Sequence, residues 1–80
     1  MLTAYIQAAM RRAKYELVPE DQAFYGWIPG FEGVYSYADT LEACREELQE
    51  VLEEWIVLGL RHDDPLPVVD GIDLSIKAVV

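Results

Sequence analysis

The stretch FYGWIPGFEGVYSYADTLEA, residues 24–43, places an aromatic run, a Pro/Gly turn, a second aromatic run and a helix start in one unbroken order. Residues 23–28 alternate two sets of side chains and are rich in the bulky residues that suit a pleated sheet, which predicts a strand. The PGFEG segment that follows supplies a residue without an amide donor and two without a β-carbon, so the chain should reverse there. Residues 34–37 are expected to return as the partner strand.

A long helix is predicted to begin directly after this hairpin. Asp39 and Thr40 offer side-chain oxygens to the first free amides, and Glu42, three places after Asp39, can reach back in a capping box. From there to about residue 60, apolar residues recur at helical spacing along one stripe, which we expect to cover the sheet. The residues of this stripe are Leu41, Cys44, Leu48, Val51, Leu52, Trp55 and Leu58.

The flanking segments complete an α+β order. Apolar residues at helical spacing predict an amphipathic N-terminal helix, an extension of the domain, over residues 1–13. Residues 15–18 are predicted to form the first strand and residues 19–22 its turn, which gives a three-stranded antiparallel meander. Two prolines with Asp-Asp and Asp-Gly pairs predict a loop over residues 61–71. Residues 72–80 alternate apolar and polar side chains, which predicts a C-terminal strand.

Length and composition limit the class of protein. Eighty residues form one domain, 1–80, with a modest core, so assembly into a dimer or tetramer is expected. The 52% hydrophobic content indicates a folded chain, and no apolar run approaches the roughly 18 residues that span a bilayer. The sequence lacks the charge order of a secretory leader, so the expected compartment is the cytoplasm. The single cysteine, Cys44, is predicted to be a core residue.

The formal net charge of −9 is unevenly distributed. Arg11, Arg12 and Lys14 make the first segment basic, and all fifteen acidic residues follow them. The basic cluster ends the predicted first helix, where it complements the negative end of the helix dipole; the alternative is a contact with DNA. The acidic remainder would repel a phosphate backbone and attract a basic protein, so we expect a protein partner and no direct nucleic-acid contact.

Groups able to carry catalysis are sparse. Glu16 is the only carboxylate predicted within the first three strands, whereas metal-dependent hydrolysis needs several that converge. His62 stands in a predicted loop with no nucleophile placed beside it. Gly26, Gly30 and Gly33 precede no helix amide end that would hold a phosphate. We therefore expect no enzymatic activity, no metal and no cofactor.

Two surfaces are expected to contact a partner. The glutamates of the long helix, relieved only by Arg45, form either a solvated face or a contact for a basic RNA-binding protein. Strand alternation sends about half of the aromatic residues away from the helix, and an apolar patch on an uncovered sheet face is typical of a protein interface. The residues leave open whether that interface is with a second copy or with another protein. The predicted partner-binding residues are Tyr25, Trp27, Phe31, Tyr35, Tyr37, Glu46, Glu50 and Glu53.

The order of strand, turn, strand and helix start in residues 15–59 resembles the HicB antitoxin family. The segment FYGWIP, residues 24–29, fits the family's second strand, and Gly33 fits its turn glycine. The segment DTLE, residues 39–42, fits the helix start. Individually these elements are common, and their joint order and spacing carry the resemblance.

The sequence departs from the family pattern at two positions. Glu32 stands in place of a second turn proline, and Ala38 stands where a glycine is common. The resemblance implies a truncated ribonuclease-H-like fold and a non-enzymatic antitoxin that neutralises a small basic ribonuclease toxin of the HicA type. Family members usually add a C-terminal DNA-binding domain, which we expect this protein to lack. The alternative function is a stand-alone homo-oligomeric scaffold with no toxin partner.

Overall fold

A computed structural model describes residues 1–74 and has the predicted order of an N-terminal helix, a three-stranded antiparallel sheet and a long helix. The elements are α1 (Leu2–Arg11), β1 (Lys14–Val18), β2 (Ala23–Trp27), β3 (Tyr35–Ala38) and α2 (Leu41–Arg61). The α+β fold class is therefore confirmed. Most of the strand predicted for residues 72–80 lies outside the described residues.

The sheet has the order β1-β2-β3, and its register aligns side chains in rows across the strands. Lys14 lies opposite Trp27, and Trp27 lies opposite Tyr35. Glu16 and Tyr37 flank Tyr25 in the same way, and this second row lies two residues from the first along each strand. Residues directly opposite each other share a face, and so do residues two positions apart along one strand. Both rows therefore lie on one face of the sheet.

The other face of the sheet packs against α2 at a position where β2 has no side chain. A β-carbon on Gly26 would lie 2.9 Å from Cδ1 of Tyr15 and 3.1 Å from Sγ of Cys44. Beside this contact, the buried hydroxyl of Ser36 donates a hydrogen bond to the carbonyl oxygen of Cys44 over 2.8 Å. Gly26 thus permits the close approach of α2, and Ser36 fixes its position along the sheet.

The N-cap of α2 lies one residue later than the predicted capping box requires. Thr40 is the N-cap, and its hydroxyl accepts a hydrogen bond from the amide of Ala43 over 3.1 Å. The predicted capping box between Asp39 and Glu42 is wrong, because Asp39 lies one residue ahead of the N-cap. The extended backbone of Thr40 places its own side chain over the free amides instead.

The buried stripe of α2 steps mainly four residues at a time and includes residues that the sequence pattern missed. Its buried members are Cys44, Leu48, Leu52, Ile56 and Gly59. Each four-residue step turns about 40° past a full helical turn, so the stripe drifts around the helix. This drift leaves Leu58, which was wrongly placed in the core, 53% exposed. Leu41 is also exposed, because contact with the sheet begins one turn later, at Cys44.

The helix α1 and the segment after α2 close the core. Tyr5, Ala8 and Ala9 are buried together with Leu48 and other α2 residues. The two alanines allow close helix contact, and their burial shows which side of α1 meets α2. The hydroxyl of Tyr5 donates a hydrogen bond to the carbonyl oxygen of Pro67 over 2.7 Å, which ties α1 to the segment after α2.

The segment predicted as a loop over residues 61–71 contains a small hairpin. Val69 and Ile72 exchange two backbone hydrogen bonds, of 3.1 and 2.8 Å, around Asp70 and Gly71. Asp70 and Gly71 have φ angles of 49° and 77°, which a two-residue hairpin turn of this hand requires. Leu66 and Val69 are buried, so this segment belongs to the core.

An ion pair explains the basic cluster more fully than the helix dipole does. Asp70 Oδ1 lies 3.0 Å from Nη2 of Arg12, and Asp70 Oδ2 lies 3.5 Å from Nη2 of Arg11. The hydrogen bond from Arg12 is the largest cause that lowers the pKa of Asp70 below its ordinary value; desolvation opposes it, and the charges of both arginines act in the same direction as the hydrogen bond. Of the basic cluster, Arg11 and Arg12 therefore have an intramolecular carboxylate partner.

Replacing Gly26 with alanine should destabilise the fold by about 1–3 kcal/mol, because the added β-carbon overpacks the contact with Tyr15 and Cys44. Denaturant unfolding measures this loss. Gly59→Ala is the comparison, since its β-carbon would lie 2.6 Å from Cδ2 of Leu66, a terminal methyl group that a rotamer change can move, and the helix gains roughly 1 kcal/mol of propensity. An equal or larger loss for Gly59→Ala would contradict the role assigned to Gly26.

Asp70→Asn should lower stability in a pH-dependent way, while the asparagine keeps the left-handed backbone conformation accessible. The folded-state pKa of Asp70 is lowered, so its contribution is present above the ordinary value of 3.8 and is lost as the pH falls through the lowered value. Thermal unfolding from pH 7 downward should show the wild-type advantage shrinking only under acidic conditions. Asp64→Asn, at an exposed position of the same segment, is the control, and the wild type should show no such pH-dependent advantage over it.

Candidate functional site

The fold separates the predicted partner-binding residues into three places. Tyr25, Trp27, Tyr35 and Tyr37 lie on the sheet face opposite α2 and are called the aromatic face. Glu46, Glu50 and Glu53 lie on the exposed side of α2. Phe31 lies in the core.

The rings of the aromatic face contact one another across two strands. The ring centroid of Tyr25 lies 5.4 Å from that of Trp27, in a stacked arrangement, and 6.1 Å from that of Tyr35. Tyr35 and Tyr37 are 57% and 46% exposed, whereas Tyr25 and Trp27 are half-buried by their neighbours. Rings that support one another lose little conformational entropy on binding, which suits an interface.

Phe31 is a correction to the predicted contact surface. Its side chain is 4% exposed, and its ring centroid lies 6.2 Å from that of Tyr5 and 5.2 Å from that of Trp55. The turn after β2 folds back so that Phe31 covers the junction of the two helices. Strand alternation does not apply to a residue between two turn glycines, so the sequence pattern could not assign its direction.

The hydroxyl of Tyr37 donates a hydrogen bond to the carboxylate of Asp21 in the turn between β1 and β2. This hydrogen bond is the largest cause that raises the pKa of Tyr37 to about 12. Desolvation and the negative charges of Asp21, Asp39 and Glu20 act in the same direction. The Tyr37 side chain is thus held across the exposed end of the sheet.

The glutamates of α2 form a continuous exposed surface, called the acidic helix face. Its members are Glu42, Glu46, Glu47, Glu50, Glu53 and Glu54. Within residues 1–74, none of these carboxylates takes part in an ion pair. Glu53 accepts a hydrogen bond of 3.1 Å from the side-chain amide of Gln49, which leaves its charge uncompensated. The field of this face is therefore strongly negative.

A groove joins the acidic helix face to the edge of the sheet. Tyr37 and Asp39 line its sheet side, and Glu46, Glu47 and Glu50 line its helix side. In the three-stranded sheet of the described residues, β3 is an edge strand, so one side of its backbone lacks a strand partner. The groove combines free strand edge with negative charge, a combination suited to an extended basic segment.

One apolar surface of α2 was missed by sequence reasoning. Val57 and Leu58 are each 53% exposed and line a second groove together with Glu50, Glu53 and Glu54. The position of Leu58 around the helix axis could have revealed its exposure, because it lies about 100° from the centre of the buried stripe. The acidic helix face therefore borders an apolar edge near the end of α2.

Three further observations concern metal binding, the single cysteine and membrane-spanning helices. Among residues 1–74, no group of three or more His, Cys, Asp or Glu side chains is arranged to hold a metal ion. Cys44 is a free buried thiol, which confirms its predicted place in the core. Neither described helix is long and apolar enough to cross a membrane.

Comparisons with known proteins find similarity over most of the chain. The sequence model of a family described as UPF0150-like matches residues 4–67. The fold is similar to the crystal structure of TTHA0281 from Thermus thermophilus, with a TM-score of 0.87 and 32% sequence identity. That similarity covers 96% of this chain and 95% of the other. No curated protein matches the sequence. The family match begins within α1, so this helix is part of the matched unit.

The Tyr37 hydrogen bond predicts a shifted phenol titration. Asp21→Asn should move the pKa of Tyr37 from about 12 toward 10.0, and Tyr37→Phe identifies the affected transition in ultraviolet titrations. Because the folded-state pKa is raised, the contact stabilises the fold below pH 10.0, and this effect is lost as the pH rises through about 12. Glu20→Gln acts only through charge and should shift the titration less. Equal shifts in both variants would contradict the hydrogen bond.

Proposed function

The chain belongs to the UPF0150-like family, and we propose that it is a non-enzymatic antitoxin that binds and neutralises a small basic ribonuclease of the HicA type. The family is related to HicB-like antitoxins, in agreement with the resemblance of residues 15–59. The observation that carries the proposal is the acidic helix face, whose carboxylates have no cationic partner within residues 1–74.

The chemistry of such a partner matches this face. A ribonuclease that binds RNA presents lysine and arginine side chains where phosphates normally lie. Glu46 and Glu50, one helical turn apart and both exposed, offer carboxylates to those cations at regular spacing. Complementary fields of this kind accelerate association and reject acidic partners. Occupation of the toxin's basic surface would exclude its RNA substrate.

The groove between α2 and β3 supports a specific geometry for this contact. An extended segment of the toxin can add to the free edge of β3 through backbone hydrogen bonds. Its basic side chains would then face Glu46 and Glu50 across the groove, with Tyr37 and Asp39 at the strand side. Backbone pairing supplies affinity and the carboxylates supply selectivity for a basic sequence.

A second candidate function is a self-assembling scaffold without a toxin partner. The observation that favours it is the aromatic face, with Tyr35 and Tyr37 about half exposed and with rings in mutual contact. This face lies on the opposite side of the sheet from α2. Self-assembly there leaves the acidic helix face open, and of the residues named for the two functions only Tyr37, at the edge of the sheet, is common to both.

Co-expression with any small basic protein encoded beside this chain tests the antitoxin proposal. The expected result is a stoichiometric complex on co-purification and restored growth of cells that express the toxic neighbour. The Glu46→Lys/Glu50→Lys double variant should weaken the complex at least about tenfold and lose the rescue, because it places like charges against the toxin.

The matched control for this experiment is the Glu32→Lys/Asp64→Lys variant, which makes the same change in net charge at exposed positions outside α2. It should bind and rescue nearly as well as the wild type. Equal losses in the two double variants would show a general effect of charge and contradict a contact on α2. The absence of any complex with a basic neighbour would contradict the antitoxin function itself.

A further inference from the structure

We infer that the aromatic face, together with Lys14 and Glu16, is the contact surface between two copies of this chain, packed sheet against sheet about a two-fold axis. This inference does not depend on a toxin, because it uses the sheet face opposite the acidic helix face. It follows from the order of side chains in the two rows that the strand register defines.

The two rows have matching chemistry in the same order. The first row contains Lys14, Trp27 and Tyr35, and the second contains Glu16, Tyr25 and Tyr37. Each row therefore has one charged residue on β1, then an aromatic residue on β2, then a tyrosine on β3. The two charges have opposite sign, and both charged side chains are exposed.

A two-fold axis that runs between the rows, across the strands, places each row of one copy over the other row of its partner. Lys14 then faces the partner's Glu16, and Trp27 faces the partner's Tyr25. Tyr35 faces the partner's Tyr37. Such a contact is isologous, since each pair occurs twice. Sheets that pack face to face are about 10 Å apart and nearly aligned, which brings opposing side chains into contact close to the axis.

Charge makes a second copy the best occupant of this face. Each copy has a net charge of −9, so most surfaces of two copies repel each other. On the two rows, the charges of Lys14 and Glu16 cancel, and the remaining members are aromatic. Two acidic copies can therefore meet along these rows with two complementary ion pairs, and the carboxylates near Tyr37, such as Asp21, lie at one end of the face. A nucleic acid would contact one lysine and one glutamate on these rows, whose charges cancel and so do not neutralise the phosphates.

The first test measures the mass of the full chain by sedimentation equilibrium between roughly 1 and 100 μM, where an interface of this modest size should dissociate. The expected result is a reversible dimer, or a tetramer built from such dimers. Lys14→Glu and Glu16→Lys should each raise the dissociation constant about tenfold or more, because each variant places two like-charge pairs across the axis.

The decisive measurement mixes these two single variants. In a mixed dimer, every introduced charge faces an opposite charge of the other copy, so association should return to nearly the wild-type level. Mixing cannot repair a defect within one chain, and the restored pairing therefore reports on the contact between copies. Arg61→Glu and Glu54→Lys make the same charge changes on α2 and should leave the dissociation constant unchanged. Thermal unfolding of each variant establishes that it is folded.

Several results would overturn the inference. A monomer throughout the concentration range would do so, as would an oligomer that is insensitive to Lys14→Glu and Glu16→Lys. Failure of the mixed variants to associate would also exclude the proposed pairing. Quenching of tryptophan fluorescence by a single-stranded oligouridylate, abolished in Trp27→Phe, would assign the face to nucleic acid. Loss of toxin binding in Glu46→Lys/Glu50→Lys is a separate outcome that leaves the dimer unaffected.

Discussion

The close approach of α2 to β2 at Gly26 is the constraint on which the rest of this structure depends. With no side chain at Gly26, the thiol of Cys44 reaches the sheet beside the ring of Tyr15. The hydroxyl of Ser36 then bonds the helix backbone at the same point. These contacts fix α2 over one face of the sheet, so the glutamates of α2 point to solvent and the described elements leave the opposite face uncovered.

This placement gives the two sides of a small domain different electrostatic character, one negative and the other nearly neutral. The acidic helix face has six carboxylates and no ion pair within residues 1–74. The uncovered sheet face has balanced charges at Lys14 and Glu16 and a contiguous set of rings. A strongly negative surface favours a basic partner, and a neutral aromatic surface tolerates a copy of itself. The fold therefore separates two kinds of recognition that would interfere on a single surface.

Local patterns in the sequence were sufficient to predict the helices and the three strands, because side-chain alternation and helical spacing are properties of short segments. Two of the placements that escaped prediction depend on distant parts of the chain. Phe31 is buried because the turn folds over Tyr5 and Trp55. Arg12 pairs with Asp70, which lies 58 residues away along the chain. The aromatic face was predicted apart from Phe31, and the rows within it became visible only with the register.

Self-association and binding of a basic partner would reinforce each other in this architecture. A dimer formed through the sheet faces directs both α2 helices outward, so one assembly offers two acidic helix faces. A second contact within one assembly is formed at a high effective concentration, provided that the partner is itself multivalent. The core of an 80-residue chain is small, and covering the aromatic face adds apolar burial that the single copy lacks. Dimerisation would thus stabilise the same fold that presents the carboxylates.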